Sequence, residues 1–202
     1  MTAAEHAPPP GAAGAPGAER PKFAIVPLVG LPFVAVIVGL LIAVIAGDWL
    51  WGLTFFHVVG GGLWTGIDLF VGFVVGPIIG RMSIPARVEF SVRFMPKMLL
   101  LMPTLVTMTL ASGFQLSRHL GYLDPSFPRH AWIVASFIVV GVMATVALGY
   151  LEPANLAVLF ELRKPQPNGL VIEKLMKRFV YTAGITGLAQ VATLIIMTRI
   201  AS

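Results

Sequence analysis

An all-α, polytopic membrane helix bundle of about five transmembrane helices, a four-helix core plus one extra N-terminal helix, is predicted by three observations. Of the 202 residues 57% are hydrophobic and 11% charged, with a mean hydropathy of +0.88, which leaves too little polar surface to cover a water-soluble domain. The apolar residues form continuous runs of membrane-crossing length rather than an alternating pattern, which favours helices over barrel strands. Between the runs lie the basic residues, most of them on one side once the runs are threaded back and forth.

Residues 1–22 are rich in Ala, Pro and Gly and poor in large apolar side chains, so they predict a flexible tail that also holds His6. The first run, Phe23–Ala46, far exceeds the roughly 7–15 apolar residues of a secretory signal core and reads as a retained helix. Four more runs follow at Trp51–Gly80, Met98–Leu116, Ala131–Leu151 and Phe179–Met197, so residues 23–202 form a single membrane domain without an internal repeat. Pro27, Pro32, Pro77 and Pro103 fall near the ends of these runs or within them, where they predict kinks whose freed carbonyls neighbouring helices can satisfy.

Threaded in this order, Arg20, Lys22, Arg81, Arg87, Arg93, Lys97, Arg163, Lys164, Lys174, Lys177 and Arg178 share one side, against Arg118, Arg129 and Arg199 on the other. The positive-inside rule then predicts a multi-pass protein of a bacterial-type inner membrane with the N-terminus in the cytoplasm and the C-terminus outside. Trp51, Tyr122 and Trp132 fall at the outer interface, where amphipathic rings are favoured. The net charge of +5 and pI near 10.0 therefore point to orientation on lipid rather than to nucleic acid. With no cysteine, disulfides, thiolate nucleophiles, iron–sulfur clusters and cysteine metal sites are excluded, leaving His, Met, carboxylates and backbone as ligands. No phosphate-binding loop, zinc signature, nucleophile elbow or dinucleotide fingerprint occurs, so no named catalytic activity follows.

The second run places His57 nearly two turns inside its outer boundary, with Gly61, Trp64, Asp68 and Gly72 on the same helical face. This face offers a glycine groove able to admit a neighbouring helix or a flat macrocycle. The reading of His57 divides evenly between a side chain bonded to a carbonyl or hydroxyl on another helix and an axial haem or metal ligand or proton relay. His119 and His130 flank the outer loop between the third and fourth runs, and no second histidine lies inside a run. Asp68 stands near mid-bilayer, where a carboxylate costs about 2.5–3.5 kcal/mol unless neutralised or paired. It is expected protonated or hydrogen-bonded, to Thr107, Thr109 or Thr186, or else serving as a proton acceptor below His57. Thr104, Met108, Ser112 and Gln115 form one stripe and Thr182, Thr186, Gln190, Thr193 and Met197 another. If both meet His57 they enclose a polar pocket; the alternative is that the hydroxyls bond their own helices. Glu152 and Glu161 are placed at or beyond the cytoplasmic end of the fourth run.

The segment FHVVGGGLWTGIDLF from Phe56 to Phe70 resembles the opening helix of a group of small membrane proteins. The group contains HemJ-type protoporphyrinogen oxidases, the membrane domain of CopD-type copper-resistance proteins and a related uncharacterised family. VRFMPKMLLLMPTLVTMTLASG, from Val92 to Gly113, is similar to their second helix. The resemblance covers the second to fifth runs and implies a four-helix core binding haem b or another tetrapyrrole, with His57 as ligand. The oxidases also carry a lysine early in the following helix and a histidine near its end; here the run from Ala131 has no lysine, and Tyr150 and Glu152 occupy the neighbourhood of the histidine.

The expectation is thus a haem b protein for electron transfer or tetrapyrrole chemistry, with His57 as metal ligand and Gly61, Trp64, Asp68, Gln115, Gln190, His119 and His130 around the cofactor. Arg118, His119, Arg129 and His130 are placed to meet propionates or lipid headgroups. A second reading is a non-catalytic accessory subunit or assembly factor that packs against membrane partners or a second copy through the ridges Gly62 and Gly66 and Gly72, Gly76 and Gly80. A third is copper or small-solute transport, with Met102, Met108, Met143 and His57 as soft ligands.

Overall fold

The computed structural model describes residues 24–164 and 166–202; the expected tail at 1–22, with His6, Arg20 and Lys22, lies outside the described residues, as does Phe23. Among the described residues there is no strand, and five helices are long and apolar enough to cross a membrane: α1 (Leu28–Ala46), α2 (Leu50–Arg81), α3 (Ile84–His119), α4 (His130–Arg163) and α5 (Gly169–Ala201). The chain is a multi-pass membrane protein with an all-α bundle fold. Helices α2, α3, α4 and α5 pack around a shared core, while α1 lies outside it against α2 and α3 and buries only Leu41 and Val44.

Three helices outrun the apolar spans that the sequence predicts. At 36 residues α3 measures about 54 Å, well beyond a hydrocarbon layer of about 30 Å. It begins at Ile84 rather than Met98, α4 continues past Leu151 to Arg163, and α5 begins at Gly169 rather than Phe179. Hydropathy detects only the lipid-embedded length, whereas these ends are amphipathic and bury one stripe each against the others: Ser91, Val92 and Met95, then Val158, Leu159 and Leu162, then Ile172 and Met176. The 81–97 and 152–178 stretches expected as loops are therefore mostly helix. We call this the basic end of the bundle, and the opposite end, with the α1–α2 turn and the α3–α4 loop, the far end.

Local chemistry sets the helix boundaries. Pro85 sits in the first turn of α3, where its missing N–H is harmless. The Asn168 side chain caps α5, Oδ1 accepting from Leu170 N at 3.0 Å and Val171 N at 3.3 Å. Gly121, with φ +69°, supplies the left-handed residue that ends the turn after α3. Asp48 adopts φ +46° in the tight turn between α1 and α2.

Two helices widen internally. Residues Val71–Val75 of α2 and Ala147–Leu151 of α4 are π-helical, and each segment is followed two residues later by a proline, Pro77 and Pro153. A proline removes one N–H from the ladder and presses on the carbonyl four residues back, here Phe73 and Gly149, both inside the widened turns. The i→i+5 pattern carries the ladder past that lost rung, with Gly76 N bonded to Val71 O and Glu152 N to Ala147 O. The sequence locates the kink at Pro77 but not the widened turn.

Backbone meets backbone where α2 crosses α5. A Cβ on Gly72 would run into the Cα of Gly184, and one on Gly187 would lie 2.9 Å from Cδ2 of Leu69. Overpacking such a contact costs about 1–3 kcal/mol. Gly72→Val is therefore expected to lower the thermal unfolding midpoint in detergent, by a shift corresponding to a free-energy loss of about that size. Gly62→Val, whose Cβ meets nothing within 4 Å, leaves the midpoint nearly unchanged in the same circular dichroism melt.

Candidate functional site

The polar side chains of the bundle gather at three levels along its length. At the far end, the turn residue Asp48 ties α1 and α2 to α3: His119 Nδ1 lies 2.9 Å from Oδ2 of Asp48, and Gln115 donates from Nε2 to Oδ1 at 3.3 Å. Arg118 donates from Nη1 to Gln115 Oε1 at 3.3 Å. The hydrogen bond from His119, helped by that from Gln115, holds the Asp48 carboxyl below its ordinary range. His130 sits apart, Nδ1 3.4 Å from the Tyr122 carbonyl. Gln115 and His119 thus meet each other and Asp48, and neither is brought to His57.

One level in, His57 packs against α3. Its Nδ1 lies 3.0 Å from the Thr109 carbonyl, and its ring fills the space above Gly113, where a Cβ would stand 2.5 Å from Cε1 and 2.6 Å from Nδ1. A carbonyl only accepts, so Nδ1 is the donor in this contact. The glycine groove beside His57 is closed by the same helix: a Cβ on Gly60 would meet Thr109 Oγ1 at 2.7 Å and Met108 Cε at 2.8 Å, and one on Gly61 would touch Thr109 Cγ2 at 3.5 Å. Of the two occupants that the groove allows on paper, it takes the helix.

The expected polar pocket around His57 does not form. Thr104, Thr109 and Ser112 bond the carbonyls of Leu100, Leu105 and Met108, and Thr182, Thr186 and Thr193 those of Arg178, Thr182 and Ala189. Each hydroxyl serves its own helix one turn back, a local partner always within reach.

The third level lies mid-bundle. Asp68 is 2% exposed, and its Oδ2 accepts from Gln190 Nε2 of α5 at 2.9 Å. Glutamine thus takes the place expected for Thr107, Thr109 or Thr186, because Thr109 and Thr186 are already spent on their own helices. Trp64, one turn before Asp68, is equally buried; its Nε1 faces that carboxyl without a well-formed hydrogen bond, and Gln190 Oε1 is buried without any donor. Of the residues expected around a cofactor, Trp64, Asp68 and Gln190 therefore converge. His57 and Gly61 face α3 instead, since α2 is wedged between α3 and α5 and its single stripe is divided between them.

Sequence reasoning misses the residue opposite. Glu152 lies inside α4, directly after its π segment, rather than at the end of the helix, and its Oε2 is buried with no hydrogen-bond partner. Asp68 and Glu152 line one small cavity of about 10 Å³, room for a single water, walled by Val71 of the α2 π segment, Leu151 of the α4 π segment, and Met102 and Pro103 of α3. Asn155, one turn beyond Glu152 and fully buried, spans the Met95–Leu99 rung of α3. With its amide turned to match both groups, Nδ2 donates to the Met95 carbonyl and Oδ1 accepts from Leu99 N, each at 3.2 Å. The available signal is the apolar spacing of Ala154, Val158, Leu159 and Leu162, which continues the helix beyond the charge.

Among the described residues no three His, Cys, Asp or Glu side chains converge as a metal-binding group. No protein-family model matches the chain, and neither do any curated proteins or solved structures.

The far-end tie carries a pH dependence. A carboxyl held below its ordinary value stabilises the fold fully above the unfolded value of about 3.9, and that contribution fades as the pH falls through the lowered folded value. The difference in unfolding midpoint between the wild type and Asp48→Asn is expected to shrink on acidification below about pH 4. A difference that grows there would contradict the tie.

Proposed function

We propose that this membrane protein holds and passes a proton at the carboxyl pair Asp68 and Glu152, as the membrane-embedded step of a proton-linked process, with the basic end of the bundle in the cytoplasm of a bacterial-type inner membrane. What supports the reading is that two carboxyls from different helices line one water-sized cavity in mid-bundle, where Glu152 Oε2 has no partner. Intramembrane carboxyls are expensive to keep and mark proton and ion paths when they face a cavity.

The chemistry follows from the partners. Gln190 Nε2 donates to Asp68 and the Trp64 N–H faces it, so Asp68 is the member equipped to carry the negative charge. Glu152 Oε2 lacks any donor and is the member suited to hold the proton. One water between them completes a path: Glu152 releases its proton to the water, the water passes one to Asp68, and the pair exchanges roles. A π segment lies beside each carboxyl, an irregularity frequent at functional sites in helices.

Haem b or copper at His57 is the second reading. It is favoured by the anchored imidazole, since metal-ligating histidines commonly hold one nitrogen on a carbonyl and present the other. Met108 and Thr109 fill the glycine groove, so the residues offer a ligand atom and no enclosed bed for a macrocycle. A Soret band in protein expressed with haem, lost in His57→Ala, would move this reading to first place.

Infrared pH-difference spectra of the reconstituted protein test the carboxyl pair. A neutral-acid C=O band is expected in the wild type and is removed by Glu152→Gln or Asp68→Asn, with proton flux into proteoliposomes lost in parallel. Glu152→Met separates function from structure: relieving an unpartnered buried oxygen is expected to leave stability unchanged or raise it by up to about 1–3 kcal/mol while abolishing the flux. A clear loss of stability, or flux that survives, would sink the proposal.

A further inference from the structure

A second, larger cavity of about 230 Å³ lies at the basic end between α2 and α5, away from both carboxyls. Its wall on α2 is bare at Gly80, which carries no side chain and would meet nothing within 4 Å if it did, while Val180 fills the space over Gly76; on α5 it is bounded by Tyr181, which is 69% exposed. Arg87, Glu173 and Lys177 stand at its polar end. Away from that polar end the lining is mostly apolar, and between helices that cross a bilayer a lipid is the molecule always present to fill such a groove.

Charge selects which lipid. Arg87 spends Nη1 on Glu173 Oε2, Nε on the Ile79 carbonyl and Nη2 on the Gly80 carbonyl, each at 2.9 Å. Those three bonds leave two of its five N–H donors free. Lys177 Nζ spends one donor on Glu173 Oε1 at 2.8 Å. Two cations against one carboxylate leave the mouth of the groove positive. The Glu173 carboxylate, paired with both Arg87 and Lys177, also fixes the two cations in place.

We infer that this groove is a binding site for one anionic phospholipid of the leaflet at the basic end. The headgroup phosphate meets Arg87 and Lys177, and one acyl chain lies along Gly80 and Pro77 beside Tyr181. Basic pockets between helices at a membrane interface recognise anionic headgroups through such charge-assisted bonds. The inference stands independently of the carboxyl pair.

The unfolding midpoint of the purified protein in mild detergent tests it, titrated with phosphatidylglycerol, phosphatidylcholine or inorganic phosphate. Phosphatidylglycerol is expected to raise the midpoint saturably by several degrees, with little effect from the other two. Gly80→Leu fills the groove without a clash, since a Cβ there meets nothing within 4 Å. It is expected to weaken the phosphatidylglycerol response at least about tenfold. Lys177→Gln is expected to erase the preference over phosphatidylcholine. An equal response to phosphatidylcholine or free phosphate would overturn the inference, as would an unchanged titration in Gly80→Leu. The chain has no cysteine, so efficient cross-linking between copies through Gly80→Cys in vesicles would put a second chain in the groove and overturn it equally.

Discussion

The close approach of α2 and α5 at Gly72 and Gly184 sets the spacing on which the polar middle of the bundle depends. With no Cβ on either side the two backbones touch, and one turn further along α2 the short Asp68 side chain reaches Gln190 across the gap. A wider crossing would leave that carboxyl in the core without its donor, and an unpaired buried carboxylate is far more expensive than any packing gain nearby. The same contact turns the rest of the stripe. Below it Gly76 accepts Val180, and above it Gly60 and Gly61 swing onto Met108 and Thr109 of α3.

Irregular backbone collects at the level of Asp68 for a related reason. In hydrocarbon every peptide group needs an internal partner, so each break in a helix ladder must be repaired where other helices can supply one. Pro77 and Pro153 are bridged by widened turns, and Asn155 reaches across from α4 to the Met95–Leu99 rung of α3. Pro103 opens the α3 ladder beside the same cavity. Three helices thus carry their defects to one place, and the small void there is what their imperfect packing leaves.

The sequence makes the bundle legible because hydrophobicity is additive along a run, and Leu31 to Ala46 or His130 to Val146 announce themselves without reference to any neighbour. The helix ends past Lys97 and Leu151 are hidden from hydropathy, since Arg87, Glu161 and Lys177 mask the buried stripe they accompany. At the site, Trp64 and Asp68 are readable from one helical face, and Gln190 from the polar stripe of α5. Their convergence depends on a crossing geometry set by Gly184, whose role no single run reveals. His57 looks from sequence like the centre of the molecule because histidine is rare in a span. In the fold its donor is absorbed by the Thr109 carbonyl, freed for contact by the missing side chain of Gly113.

The two mid-bundle carboxyls differ in a way that packing alone does not account for. Asp68 comes with a matched donor, and an Asp–Gln pair is an ordinary way to stitch two membrane helices together. Glu152 has no such match at Oε2, although a methionine or leucine there would fill the same volume at no desolvation cost. It also follows directly on a widened turn, where the backbone is least able to tolerate further strain. On the proposed reading, a residue that is costly, replaceable for structure and set in the lining of a cavity shared with a second carboxyl is accounted for by what it exchanges rather than by what it holds together.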